Sequence, residues 1–161
     1  MQDEQLRPVL DRLLASRRAK VEDTQGGARK GLRVLFTCHS GKNKLLAAQL
    51  FAHELSADLF QIDLQRMSSQ YVGDTEKNLD ALFAAARASD AVLLLDDTDQ
   101  LFSDSQLAAE DSGRFPNLNL AHLRQRIESY DGVVLLGADD TRGIDPGLAR
   151  QCDEVVELAD D

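Results

Sequence analysis

TCHSGKNKLLAAQL, residues 37–50, is the stretch on which the reading of this chain turns. A strand-like run, Arg33-Val34-Leu35-Phe36, precedes it, and an amphipathic helix follows it. A buried strand, a glycine-containing turn with two lysines and a helix start is the layout of a phosphate-binding loop. Such a loop works because successive backbone N–H groups point inward at the helix start, and glycines let the backbone approach the anion. In the pattern G-x-x-x-x-G-K-[ST], the lysine neutralises phosphate oxygens and the hydroxyl binds magnesium. Lys44 takes the lysine place, Gly41 supplies a permissive position and Lys42 adds charge. Cys38 and Asn43 stand in the two glycine places, and Leu45 in the hydroxyl place. Asn43 tolerates positive φ better than most residues, whereas Leu45 has no oxygen for a metal. Taken alone, the stretch reads first as a lysine-rich turn that caps a helix.

The composition narrows the classes. A chain of 161 residues is one domain's worth, long enough to bury a core. A formal charge of -10 argues against nucleic-acid binding through a broad phosphate-contacting surface. No apolar run approaches the roughly 20 residues of a membrane span, and Met1 opens no signal-peptide pattern. Cys38 and Cys152 are far apart and lack metal-ligand spacing, which fits a reduced, cytoplasmic compartment. Aromatic residues make up only 5% and tryptophan is absent, so the core must come from Leu, Val and Ala.

Along the chain, Leu6, Val9, Leu10, Leu13 and Leu14 fall at helical spacing. This predicts an amphipathic helix and a glycine-containing linker over residues 1–30, ahead of a core over 31–161. From there strands and helices alternate. RVLFT, DLFQIDL, AVLLL, VVLLG and EVVEL read as strands, and KLLAAQLFAHEL, TEKNLDALFAAARAS and LNLAHLRQRIES as helices. Residues 103–117 read as a long surface loop. Alternation of this kind predicts an α/β fold with a mainly parallel sheet, and the unbroken Val/Leu runs predict strands covered on both faces. Ligands of such sheets sit beyond the carboxyl ends of the strands. Thr37-Cys38, Asp96-Asp97 and Ala138-Asp139 each fall at such an end. In AVLLLDD, Asp96 would face a magnesium ion and Asp97 would orient a water; a strand running into an acidic turn would look the same.

Together these stretches resemble the AAA+ ATPases, in particular the single-ring type that remodels proteins, from about Gly31 to Leu158. LRVLFT-CHSGKNKL-LAAQLFAHEL resembles the family's first strand, Walker A loop and helix. SSQYVGDTEKNLDALFAAARAS resembles the second-helix region, with Tyr71, Val72 and Gly73 at the pore loop. AVLLLDDTDQLF resembles Walker B, NLNLAHLRQRIESYDGVVLLGADD the helix and strand ending at sensor 1, and GIDPGLARQCDEVVEL the arginine-finger segment. The resemblance implies a P-loop NTPase-type sandwich, a five-stranded parallel sheet flanked by helices. It implies ATP or ADP with Mg2+ as cofactor, Asp96 on the metal, and Asp97, Asp139 and Arg150 at the chemistry. Self-association, association with other AAA+ subunits and a protein client follow from the same resemblance.

The departures from the family gather at the nucleotide. Besides Cys38, Asn43 and Leu45, the usual Walker B glutamate is Asp97, the sensor asparagine is Asp139, and the second arginine-finger place holds Gln151. Some relatives do use Asp-Asp and an aspartate sensor, so Cys38 and Leu45 weigh most. The small helical lid that follows this core in the family has no counterpart before Asp161. Losing a magnesium ligand and crowding the loop would each cost about 1 to 3 kcal/mol. Together that is roughly two to four powers of ten in affinity. The expectation is an AAA+-like core whose ATPase is weak or lost and which serves as scaffold or regulatory partner. The alternative is a working ATP-binding remodelling subunit, in a mixed ring with complete relatives. A Cys38-His39 dyad is not expected, since neighbours at a strand end point apart. His53 and His122 receive no role.

Overall fold

The computed structural model describes residues 3–22, 31–62, 74–96, 120–139, 150 and 152–158. Five strands form one sheet: β1 (Leu32–Thr37), β2 (Leu59–Ile62), β3 (Val92–Leu95), β4 (Val133–Ala138) and β5 (Glu154–Glu157). Their spatial order is β2-β3-β4-β1-β5, and all four pairings are parallel. The helices are α1 (Asp3–Glu22), α2 (Gly41–Glu54), α3 (Asp74–Ser89) and α4 (Leu120–Ser129). Every residue of β1, β3 and β4 is buried, as their continuous apolar runs require of strands covered on both faces. The expected five-stranded parallel sheet flanked by helices is therefore the architecture of this chain.

Side chains alternate across a strand, and the alternation divides the interior into two apolar clusters. Leu32, Val34 and Phe36 of β1, Val92 and Leu94 of β3 and Val133 and Leu135 of β4 pack with Ala47, Ala48 and Phe51 of α2. Leu6, Leu10 and Leu13 of α1 belong to this same cluster, so the periodicity read in the sequence marks the buried face of that helix. Pro8 lies within α1, where it removes one intrahelical hydrogen bond. Burial of the three leucines and ion pairs from Arg7 to Glu54 (2.6 Å) and from Arg12 to Glu154 offset that loss. On the opposite face, Leu35, Leu93, Leu95, Val134 and Leu136 pack against Leu79 and Phe83 of α3 and Leu123 and Ile127 of α4. Asp80 of α3 lies 2.8 Å from Nε2 of His122 and 3.3 Å from Nε of Arg126, both on α4. His122 thus has a place in the joint between these helices that the sequence reading did not assign.

One charged side chain sits in the middle of this packing. Arg33 of β1 is 1% exposed. Its guanidinium donates to the carbonyl oxygens of Ile127 (2.7 Å), Glu128 (2.6 Å) and Tyr130 (3.0 Å). These are the carbonyls that the last turn of a helix leaves without intrahelical donors. Arg33 therefore caps α4 and places its charge at the negative end of that helix. The Tyr130 hydroxyl in turn donates to the Ala91 carbonyl at 2.6 Å, and its ring meets Phe83 edge-on at 5.9 Å. Burial, with a smaller contribution from Asp90, pushes the Tyr130 phenol up to about 12. Gly31 belongs to the same construction, because a Cβ there would lie 2.4 Å from the Tyr130 carbonyl oxygen.

Candidate functional site

Parallel strands point their carboxyl ends the same way, and here Thr37 of β1 and Ala138 of β4 are register partners. Leu95, the last residue of β3, pairs with Leu136 of β4. Asp96 consequently emerges beside Gly137, and Asp139 beside Cys38. The Cys38 N–H donates to the Ala138 carbonyl at 2.9 Å, which carries the β1–β4 ladder one step into the loop. The chain then turns through His39 and Ser40 into α2 at Gly41.

Ser40 is the N-cap of α2. Its backbone is extended, at φ -93° and ψ 108°, and its hydroxyl accepts the N–H of Asn43 at 3.1 Å. The Ser40 N–H itself donates to Cys38 Sγ at 3.3 Å. Asn43 is 4% exposed and Lys44 2%, while Gly41 and Lys42 are exposed. Leu45, in the hydroxyl place, is half-buried and packs against the apolar cluster beneath α2. It turns a methyl-bearing side chain to the core and offers no oxygen.

The buried ammonium of Lys44 meets two carboxylates. Its Nζ lies 3.0 Å from Asp96 Oδ1 and 3.6 Å from Asp139 Oδ1. Burying an unpaired ammonium costs several kcal/mol, so a paired arrangement is what a Lys at 2% exposure requires. The carboxylates remain reachable from solvent, with side-chain exposures of 33% for Asp96 and 46% for Asp139. Gly137 makes the arrangement possible. A Cβ at that position would stand 2.6 Å from Asp96 Oδ1 and 3.1 Å from Lys44 Cδ. A glycine inside an apolar strand signals such a close approach, and the VVLLGA run carried that signal in the sequence.

Of the residues singled out from sequence, Asn43, Lys44, Asp96 and Asp139 thus converge at the ends of β1, β3 and β4, with Gly41 and Leu45 on the same first turn of α2. Arg150 is helical and exposed. Asp97, Tyr71, Val72 and Gly73 lie outside the described residues. Cys38 is buried and its neighbour His39 exposed, in accord with side chains that point apart. Among the described residues, no group of three or more His, Cys, Asp or Glu side chains is placed to hold a metal ion. No described helix is long and apolar enough to cross a membrane. Sequence reasoning passed over Ser40 and Gly137, and it did not read Cys38 as an acceptor for a backbone N–H.

Comparison with known proteins agrees with this architecture. The family model "ATPase family associated with various cellular activities (AAA)" matches residues 34–159. The chain belongs to the AAA family. It is 31% identical over 152 residues to an uncharacterized AAA family ATPase, y4kL, of Sinorhizobium fredii (strain NBRC 101917 / NGR234), covering 92% of this chain and 45% of that protein. It is 36% identical over 75 residues to spastin of Drosophila melanogaster, covering 46% of this chain and 10% of spastin. The chain spans less than half the length of either relative. The AAA family binds ATP or ADP with Mg2+.

Proposed function

We propose that this chain is an AAA ATPase core whose nucleotide site is weakened or inactive, and that it acts as a scaffold or regulatory partner in a cytoplasmic assembly. One observation carries the reading: Leu45, where a metal-binding hydroxyl belongs, is packed into the apolar cluster under α2. Freeing an oxygen ligand there would need a different side chain, not a rotation of this one. The remaining features fit Mg-ATP only in part. Lys44, Gly41 and the start of α2 would face phosphate oxygens, and Asp96 the metal, but the metal would lack its protein hydroxyl. Asp139 adds negative charge beside Lys44, where the γ-phosphate would sit. Arg150 is exposed, and in a mixed assembly it would serve a neighbouring subunit's nucleotide, as the family's arginine fingers do. Oligomerisation is common in the family, and it supports association with other AAA subunits or with copies of this chain.

The test is titration of Mg-ATP into the full chain by calorimetry, with a hydrolysis assay alongside. Millimolar or weaker binding and no turnover are expected. Micromolar binding that Lys44→Ala abolishes would overturn the reading in favour of a working remodelling subunit. Measuring particle size with and without ATP extends the test to assembly, because a nucleotide-dependent ring would also speak for a working subunit.

A further inference from the structure

Two of the departures from the Walker A and sensor patterns, Cys38 and Asp139, supply acceptors in the folded chain. Cys38 replaces a glycine, and its sulfur takes the N–H of Ser40 at 3.3 Å. Ser40, at a free position of the pattern, takes the N–H of Asn43 at 3.1 Å. Asp139 replaces the sensor asparagine and lies 3.6 Å from the Lys44 ammonium, which Asp96 also meets at 3.0 Å. Asp96 faces the helix start as well, since a Cβ on Gly41 would lie 3.6 Å from its Oδ2. A polyphosphate in such a loop is held by backbone N–H groups of the turn and by the lysine. Here two of those N–H groups and the ammonium already have acceptors from within the chain, and the acceptors nearest the ammonium are anions.

We infer that the phosphate cradle is occupied from within. The Cys38 thiol, the Ser40 hydroxyl and the Asp96 and Asp139 carboxylates act together as a built-in substitute for a polyphosphate. They keep the loop in one closed form without nucleotide. An incoming anion must displace them, and it must do so against the repulsion of the Asp139 charge. This deepens the preceding proposal and rests on it: the site is weak because it is filled, in addition to lacking a hydroxyl at Leu45.

The experiment titrates inorganic pyrophosphate, which needs no metal-binding hydroxyl, into the full chain and into four variants, with Cys38→Gly as the control for crowding. Asp139→Asn removes the charge and should tighten binding about tenfold. Cys38→Ala keeps the Cβ and removes only the sulfur acceptor, and should tighten it by about threefold. The double variant should show roughly the product of the two gains. Circular dichroism checks that each variant is folded. If Asp139→Asn is not, Asp139→Ser removes the same charge from a side chain that is nearly half exposed. Folded variants that bind pyrophosphate no better than the parent would overturn the internal substitute while leaving the weakened-site reading intact. Micromolar Mg-ATP binding by the parent chain would instead overturn that reading, and the substitute with it. Gain only with Cys38→Gly, and none with Cys38→Ala, would mean that Cys38 crowds the loop and does not fill it, and the sulfur's part in the inference would fall.

Discussion

Arg33 and Lys44 are two buried cations at opposite ends of the same sheet, and they are held in opposite ways. Arg33, near the start of β1, gives its hydrogen bonds to neutral carbonyl oxygens at the end of α4. Lys44, beyond the end of β1, gives its charge to two carboxylates that solvent still reaches. Neutral acceptors fixed in a helix terminus cannot be exchanged for a ligand without unwinding the helix. Half-exposed carboxylates can be turned aside by one rotamer change. The contrast separates a cation locked into the fold from a cation whose partners face solvent, although both are about equally buried.

Arg33→Leu is the strongest way to break this comparison. It removes the donors of three helix-terminal carbonyls, and a loss of about 3–5 kcal/mol is expected in urea denaturation. A loss under about 1 kcal/mol would show that α4 keeps its end without the cap. The same end of the sheet has a pH signature. The Tyr130 phenol is raised to about 12, so the folded chain holds its proton where the unfolded chain, titrating near 10, has released it. Stability from this group is complete below pH 10 and falls by about 1–2 kcal/mol as pH rises from 10 through 12. Tyr130→Phe should flatten that part of the pH–stability curve, and an unchanged curve would exclude the phenol as its source.

At the other end, smaller effects are expected. Asp96→Asn leaves the Lys44 ammonium with only the more distant carboxylate, and should cost about 1–3 kcal/mol, less than for a fully buried pair because Asp96 is partly exposed. Lys44→Met, which removes the buried charge itself, should change thermal stability by no more than about 1 kcal/mol. If the two substitutions cost the same, Lys44 is held as rigidly as Arg33 and the contrast fails. Ser40→Ala sharpens the picture, since loss of the N-cap should cost about 1 kcal/mol and localise to the first turn of α2 in hydrogen exchange.

Much of this molecule is legible in its sequence because burial writes itself as pattern. VLLL and VVLL suit strands covered on both faces, and Leu6, Leu10 and Leu13 announce one helical face at their spacing. The position of Lys44 at a strand-to-helix turn, and of Asp96 and Asp139 at strand ends, follows from the same alternation. What stayed hidden are partnerships made across the sheet. Arg33 reads as a polar residue at a strand edge, because nothing local reveals that a helix will end over it. Cys38 reads as the absence of glycine, since the N–H it accepts becomes available only when Ser40 turns into α2. A hydrogen bond is chosen by geometry that no single stretch of sequence contains.

The N-terminal helix bears on how this domain could be handled in isolation. The family match begins at Val34, but Leu6, Leu10 and Leu13 fill the same apolar cluster as β1 and α2, and Arg33 lies one residue outside that boundary. A fragment trimmed to the matched region would take Leu6, Leu10 and Leu13 out of the apolar cluster, bare part of the surface of α2 and β1 that α1 packs on, and leave the end of α4 without its donor. Its behaviour would then report on the cut and not on the nucleotide site. For this chain the region that the family model matches is shorter than the apolar cluster it belongs to.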